Sequence, residues 1–383
     1  MDLRLSEEQV GFRRLARDFC DAEIVPFRRD WDRAESVDLD LLPKLGAIGF
    51  FGLTIPEEHG GVGGDHLTYM LGMEELGRAD SSVRGIVSVS TGLVAKPILA
   101  HGSAEQKEQW LPPLATGEAL GCFGLTEPGH GSDAGNLRTR ARREGDDYVL
   151  DGSKIFITNG TWADVALVFA RTGGDGPRGI SAFLVPTDTP GLERQTIIGK
   201  LGLRGQATAE LSFDGVRVPA SAMLGEEGRG FRIAMETLDK GRVAIGASCT
   251  GIIQGCLEEV VAYTTSREQF GRAIAGFQLV QDMIADLSLD ADAARLLVWR
   301  AADLIDRGEP FGVEASKAKL FASEAAVRAS NTAMQAFGGY GFVDDYPVQK
   351  YLRDARVMTL YEGTSQVQKL LIGRAETGIN AFT

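Results

Sequence analysis

The sequence predicts a multidomain α+β protein in which a helical domain, an antiparallel β domain and a second helical domain follow one another. Three observations carry that expectation. Apolar residues recur at three-to-four spacing over the first 118 residues and again after residue 228. Between these regions, short runs alternate with Gly, Asp and Pro turns. With 383 residues and 44% hydrophobic content the chain can bury a large core, and its length suggests two or three domains. The changes of character place an N-terminal helical domain at 1–118, a central β domain at 119–226 and a C-terminal helical domain at 227–383.

Ser6 and Gln9 open the first domain with capping-box spacing, and helical stretches follow through LTYMLGMEELGR, IVSVSTGLVAKPILAHG and SAEQKEQWLPPLATG. The β domain is read from YVLDG, KIFIT, DVALVFAR, GISAFLVP and AELSFDGVRVP. Helix returns over 231–266, 277–306 and 313–337, with two shorter pieces around Glu362. Phe277, Val280, Ile284 and Leu287 form one buried stripe, the pattern of helices that pack as a bundle.

Composition narrows the function. Forty Lys+Arg against 53 Asp+Glu give a net charge of −13, which argues against a broad nucleic-acid footprint. Cys20, Cys122, Cys249 and Cys256 form no CxxC pair and lie on core-like segments, as expected of reduced thiols in a cytoplasmic setting. The start MDLRLSEEQV has no basic-then-apolar pattern, and no run of about 18 apolar residues supports a membrane span. His59, His66, His101 and His130 show no metal-ligand spacing, so no protein-built metal site is expected.

The stretch GLTEPGHGSDAG carries Gly129, Gly131 and Ala134 at dinucleotide-fingerprint spacing. That fingerprint needs a helix after the loop, whereas GNLRTRARREGDDYVLDG alternates and turns like strands. A Rossmann reading is rejected. Near the C-terminus, VMTLYEGTSQVQKLL sets Glu362 between a helix over 346–358 and a new helix for which Ser365 and Gln368 have capping-box spacing. A lone turn glutamate is ordinarily a solvated residue.

CFGLTEPGHGSDAG, DGSKIFITNG, LGEEGRGFRIAMETLDKGRVAIGA, REQFG, QAFGGYGF and YEGTSQVQ stand in one order along nearly the whole chain. In that order they resemble the acyl-CoA dehydrogenase family, and LDKGR is most similar to its short-chain members. The resemblance implies a C-terminal four-helix bundle, bound FAD and a homotetramer built as a dimer of dimers. It also implies oxidation of an acyl-CoA thioester to the trans-2-enoyl product, with electrons passed to an electron-transfer flavoprotein.

Residue by residue, the resemblance makes Glu362 the base that removes the α-hydrogen, with its own N–H stabilising the enolate oxygen. Such a hydrogen is a poor acid, so a positioned base and oxyanion donors are needed. Some relatives carry the base at the position of Gly241, which here has no side chain. Gly363 lets the backbone approach the substrate closely. Arg242 is expected to fix the glutamate loop, and Asp239 and Ser132 to hold parts of the substrate. Phe123, Leu125, Thr126, Ser132, Phe156 and Thr158 correspond to flavin contacts, with the Thr158 hydroxyl near the flavin N5. Arg267, Phe270, Gln278, Gln335 and Gly339 correspond to contacts with the FAD of a neighbouring subunit, and Thr364 and Gln366 to further flavin contacts. For each a structural role competes: a salt bridge for Arg242, strand packing for Phe156, a helix cap for Thr364.

One departure stands after KLGLRG, where Gln206 and Ala207 replace a pair of small hydroxyl residues before Thr208. Three other functions compete: a dehydrogenase of carrier-tethered acyl groups, a flavin monooxygenase, which generally lacks this glutamate, and a non-catalytic helical assembly protein.

Overall fold

A computed structural model describes residues 4–381. The N-terminal part is helical: α1 (Glu7–Glu23), α2 (Arg28–Ala34), α3 (Leu41–Ala47), α4 (His66–Ala79), α5 (Ser81–Ser88), α6 (Lys96–His101) and α7 (Ala104–Thr116). The expected capping box opens α1, with Gln9 N donating to Ser6 Oγ and Ser6 N donating to Gln9 Oε1. A π-helical turn, Val89–Ala95, joins α5 to α6. The resulting rod, Ser81–His101, is apolar enough to cross a membrane by length and composition, yet 78% of its most apolar 18-residue stretch is buried inside the protein. It is a core helix, and its burial against other elements accounts for its apolar character.

The central part is an eight-stranded sheet: β1 (Gly121–Gly124), β2 (Arg140–Glu144), β3 (Asp147–Thr158), β4 (Val165–Arg171), β5 (Ile180–Pro186), β6 (Leu192–Thr196), β7 (Thr208–Pro219) and β8 (Met223–Leu224). Its order is β6-β7-β3-β2-β4-β5-β8, with β1 also on β4. The antiparallel expectation holds for most pairs, but β1 and β2 both run parallel to β4, at Gly121↔Val165 and Arg140↔Arg171. The two strands share one side of β4 in succession, and the Gly-rich loop 125–139 is an excursion between them. No long helix follows that loop, only the 3-10 turn Ala134–Asn136, so the fingerprint spacing is not a Rossmann turn.

The C-terminal part holds α8 (Gly230–Ser266), a short hairpin of β9 (Glu268–Gln269) and β10 (Arg272–Ala273), α9 (Gln278–Asp306), α10 (Gly312–Phe337), α11 (Val348–Met358) and α12 (Ser365–Thr377). The three long helices start within one residue of expectation; α11 starts later than residue 346 because Pro347 takes the N-cap. Helices α8 to α11 form the bundle and α12 lies on α10. At 37 residues α8 is about 55 Å long, and it crosses α4 of the first domain at glycine contacts. A Cβ on Gly251 would lie 2.0 Å from Glu74 O, and one on Gly77 would lie 2.4 Å from Ser248 O. Side-chain-free positions on both helices therefore let the backbones meet and bring the two helical domains against one cavity.

Candidate active site

The segment Thr359–Thr364 turns the chain from α11 into α12. Glu362 has φ +51° and Gly363 φ +89°, two successive left-handed residues. For a non-glycine residue this conformation costs about 1–3 kcal/mol and persists only where its surroundings hold it. Here three side chains grip the loop carbonyls. Gln368 Nε2 donates to Glu362 O (3.2 Å) and Gly363 O (3.1 Å), Lys319 Nζ donates to Gly363 O (2.8 Å), and Arg242 Nε reaches Glu362 O at 3.5 Å. This corrects the expected cap: Thr364 is the N-cap of α12, accepting from Val367 N, while Ser365 donates to Glu324. Gln368 does not cap because the loop carbonyls take its amide.

Held this way, Glu362 points its Oε2 into the interior, where it is buried and has no hydrogen-bond partner. It faces Gly241 of α8: a Cβ there would lie 2.4 Å from Oε2. Tyr69 of α4, Leu93 of the π-helical turn, and Gly241 and Ala244 of α8 line, with Glu362, a cavity of about 20 Å³. Burial pushes the Glu362 carboxyl above the usual carboxylate range, and the cations Arg84, Lys319 and Arg242 pull it part of the way back. Arg84 is 1% exposed; it donates to Tyr361 OH (2.6 Å) and Ser88 Oγ (2.9 Å). Burial likewise lowers Lys319 to about 8. Arg242 also pairs with Asp239, so the salt-bridge role and the loop contact coexist in one side chain, and Asp239 is engaged by Arg242.

The residues expected around a flavin ring gather at one end of the sheet. Phe123 is half-buried on Phe169 with ring centroids 4.9 Å apart, Leu125 is buried, and Thr126 O accepts from Ile155 N. A register shift between Lys154 and Ile157 sets Phe156 out of the strand at φ +61° and 65% exposed, so it is not ordinary strand packing. Thr158 Oγ1 accepts from Gln206 Nε2 (3.3 Å), a contact supplied by the departing position. Next to it, Asn159 Nδ2 donates to Ile86 O and Gly121 O, tying the end of β3 to α5 and β1. An exposed aromatic face beside hydroxyls suits a planar ring with a polar edge, and FAD fits these residues. Ser132 is exposed at the tip of the Gly-rich loop.

A second cluster lies elsewhere. Arg267 caps α8, ~39 Å along the helix axis from Gly241. Arg267, Gln335 and Gly339 line one groove of about 540 Å³, and the Arg267 guanidinium lies 5.7 Å from the Tyr340 ring centroid. Phe270, on the adjacent hairpin, is 93% exposed at φ +54°, and Gln278 is exposed at the start of α9. Gln366 is exposed on α12. The expected residues therefore divide between an interior site and an outward-facing surface.

Several functional-looking groups escaped the motif reading. Lys154 is fully buried and its Nζ donates to Glu127 Oε1 (2.8 Å), while the amides of Arg138 and Thr139 donate to the same carboxylate. These contacts overcome burial and hold the Glu127 carboxyl down at about 2, fixing the Gly-rich loop. A Lys at the sheet-facing position of KIFIT, and Lys319 on the small-residue stripe of α10, were the available signals. Among the described residues no cluster of His, Cys, Asp or Glu could hold a metal ion, and the four cysteines are buried and free.

Family models for the acyl-CoA dehydrogenase N-terminal, middle and C-terminal domains match residues 6–118, 122–216 and 228–377. The chain belongs to the acyl-CoA dehydrogenase family. It is 44% identical to the short-chain-specific acyl-CoA dehydrogenase of Clostridium acetobutylicum over 97% of this chain and 98% of that one. A chain from a structural study of the electron transferring flavoprotein of Acidaminococcus fermentans superposes with a TM-score of 0.97 at 44% identity, covering 98% of this chain and 100% of that chain. A glutaryl-CoA dehydrogenase of Mycobacterium smegmatis, solved in complex with FADH2, superposes at 0.95 with 36% identity over 99% and 97% of the two chains. Acyl-CoA dehydrogenases are FAD-dependent oxidoreductases acting on a CH–CH group, and this dehydrogenase is one of them.

Proposed function

We propose that this dehydrogenase oxidises a short acyl-CoA to its trans-2-enoyl-CoA, with Glu362 as the base and an electron-transfer flavoprotein as the electron acceptor. The observation that carries the reading is the buried, unpartnered Oε2 of Glu362 over the side-chain-free Gly241. A carboxylate kept out of water and unpaired is a stronger base than one in solvent. Glu362 takes the α-proton, and its own N–H is the donor assigned to the developing enolate oxygen. Arg84, Lys319 and Arg242 keep enough positive charge nearby for the carboxylate to ionise. When bound, FAD supplies the two-electron acceptor to which the β-hydrogen leaves as hydride. Phe123, Leu125, Thr126, Ser132, Phe156, Thr158, Thr364 and Gln366 would hold it, and Ser132, Asp239, Arg242 and Gly363 would position the substrate.

The outward cluster of Arg267, Phe270, Gln278, Gln335 and Gly339 is assigned to the FAD of a neighbouring copy in a homotetramer. A guanidinium beside an open groove suits a pyrophosphate, since its planar donors meet two oxygens together. Phe270 at 93% exposure is the residue such an interface would cover. The domains are assigned to 1–118, 119–226 and 227–383.

The test is anaerobic bleaching of the yellow protein by acyl-CoA thioesters. Glu362→Gln should keep its colour and bind ligand but lose reduction by about 10³–10⁴-fold, the usual contribution of a general base at its upper end. Near-normal bleaching in that variant would refute the assignment.

A further inference from the structure

Gln206 stands where the family resemblance leads one to expect a small hydroxyl residue, and it reaches the candidate flavin site from within the protein. The residue is 4% exposed, and its Nε2 donates to Thr158 Oγ1 at 3.3 Å. The backbone around it is pinned so that the side chain enters the interior: Lys200 Nζ donates to Gln206 O at 2.6 Å, and Val37 N donates to Gly205 O at 2.8 Å. Thr158 lies two residues beyond Phe156 on β3 and pairs with Thr208 of β7.

The room for this amide comes from a different element. Gly85 of α5 faces Gln206, and a Cβ there would lie 2.0 Å from Oε1. The next residue of α5, Ile86, accepts from Asn159 Nδ2, so helix and strand end are held together around the amide. A glycine inside a helix is less favourable than alanine, and the Oε1 that it admits is buried without a hydrogen-bond partner. Packing alone requires neither feature, since alanine at 85 and a small side chain at 206 would fill the same space. Both serve one contact, that of the amide with the Thr158 hydroxyl.

A threonine hydroxyl has one proton and two acceptor sites. With Gln206 as donor, one acceptor site is occupied and the proton is left for a partner on the open side, where Phe156 stands exposed. The donated bond also polarises the hydroxyl, which strengthens the bond it gives onward. We propose that Gln206 is a positioning residue for the flavin: seated against Gly85, it turns the Thr158 hydroxyl so that its proton is given to the flavin edge. The inference rests on the flavin site proposed above and adds a residue that acts there through Thr158.

The test is a double-mutant cycle read by fluorescence titration of the full-length apoprotein with FAD. Gln206→Met keeps the side-chain length and loses the amide; it should weaken FAD binding about fivefold and shift the visible absorption band of the bound flavin. Thr158→Val should weaken binding by at least that factor, and the two together no more than Thr158→Val alone, because the amide acts only through the hydroxyl. Gly85→Ala, which displaces the amide, should reproduce the Gln206→Met affinity and spectrum, and it serves if Gln206→Met is unstable. Adding Gln206→Ser to Gly85→Ala removes the clash, so that double variant should melt no lower than Gln206→Ser by itself. Losses that multiply in the Gln206→Met/Thr158→Val protein, or a Gln206→Met protein with unchanged affinity and spectrum, overturn the proposal and return Gln206 to a packing role. If Thr158→Val leaves FAD affinity unchanged, Thr158 does not meet the flavin and this inference fails while Glu362 as base stands. If the wild-type apoprotein takes up no FAD, the flavin site itself fails and this inference with it.

Discussion

Gly241 of α8 lies directly beneath the carboxylate of Glu362, so close that a single added carbon would stand 2.4 Å from Oε2 and 3.3 Å from Cδ. The absence of a side chain on α8 and the presence of one on the loop are a matched pair. Gly241→Ala should push the carboxylate aside. Displacement of a reacting group by about 1 Å costs on the order of 10²-fold, so kcat should fall by about that factor with the flavin still bound. Stopped-flow reduction of the variant checks this; unchanged kcat would mean that Glu362 can move without penalty.

The pH dependence follows from burial of the same group. Since burial raises the Glu362 carboxyl and the cations only partly offset it, kcat/KM should rise with pH through a midpoint above the usual carboxylate range. Arg84 is the leading cation in that offset, so Arg84→Met should move the midpoint higher and Arg84→Lys much less. For stability the sign runs the other way. A carboxyl raised on folding contributes stability below its unfolded pKa and loses it as pH rises through the folded value. The melting temperature of Glu362→Gln relative to wild type should therefore increase with pH above about 4.5, as differential scanning calorimetry would record.

Lys154 and Glu127 anchor the loop between β1 and β2. Lys154→Met would leave the buried Glu127 carboxylate without its ammonium partner, and breaking a buried pair on one side costs about 3–5 kcal/mol. Denaturant titration should show a loss of that order, together with weaker FAD retention. Because the Glu127 carboxyl is held at about 2, its contribution is present above the unfolded carboxylate pKa and should disappear as pH falls through 4 toward 2.

Phe156 stands out of its strand at 65% exposure, so the sheet does not need its ring. Phe156→Ala should leave the thermal midpoint of the apoprotein within about 1 °C while weakening FAD binding by 10- to 100-fold, the value of burying one large apolar side chain. Fluorescence titration of apoprotein with FAD separates the two effects. A large stability loss with normal FAD affinity would return Phe156 to a packing role.

Local pattern alone determined the helical, β, helical order, the Ser6 cap and the starts of α8, α9 and α10 within one residue, because spacing and capping are properties of neighbouring residues. Glu362 is picked out by the family resemblance and not by local pattern, which reads a lone turn glutamate as solvated. The tertiary structure decided the rest. Parallel pairing of β1 with β4 and the meeting of Arg84, Lys319 and Arg242 around one carboxylate join residues tens to hundreds of positions apart, and the turning of Gln368 from cap to loop clamp depends on the left-handed turn at Glu362 and Gly363, which local spacing does not announce.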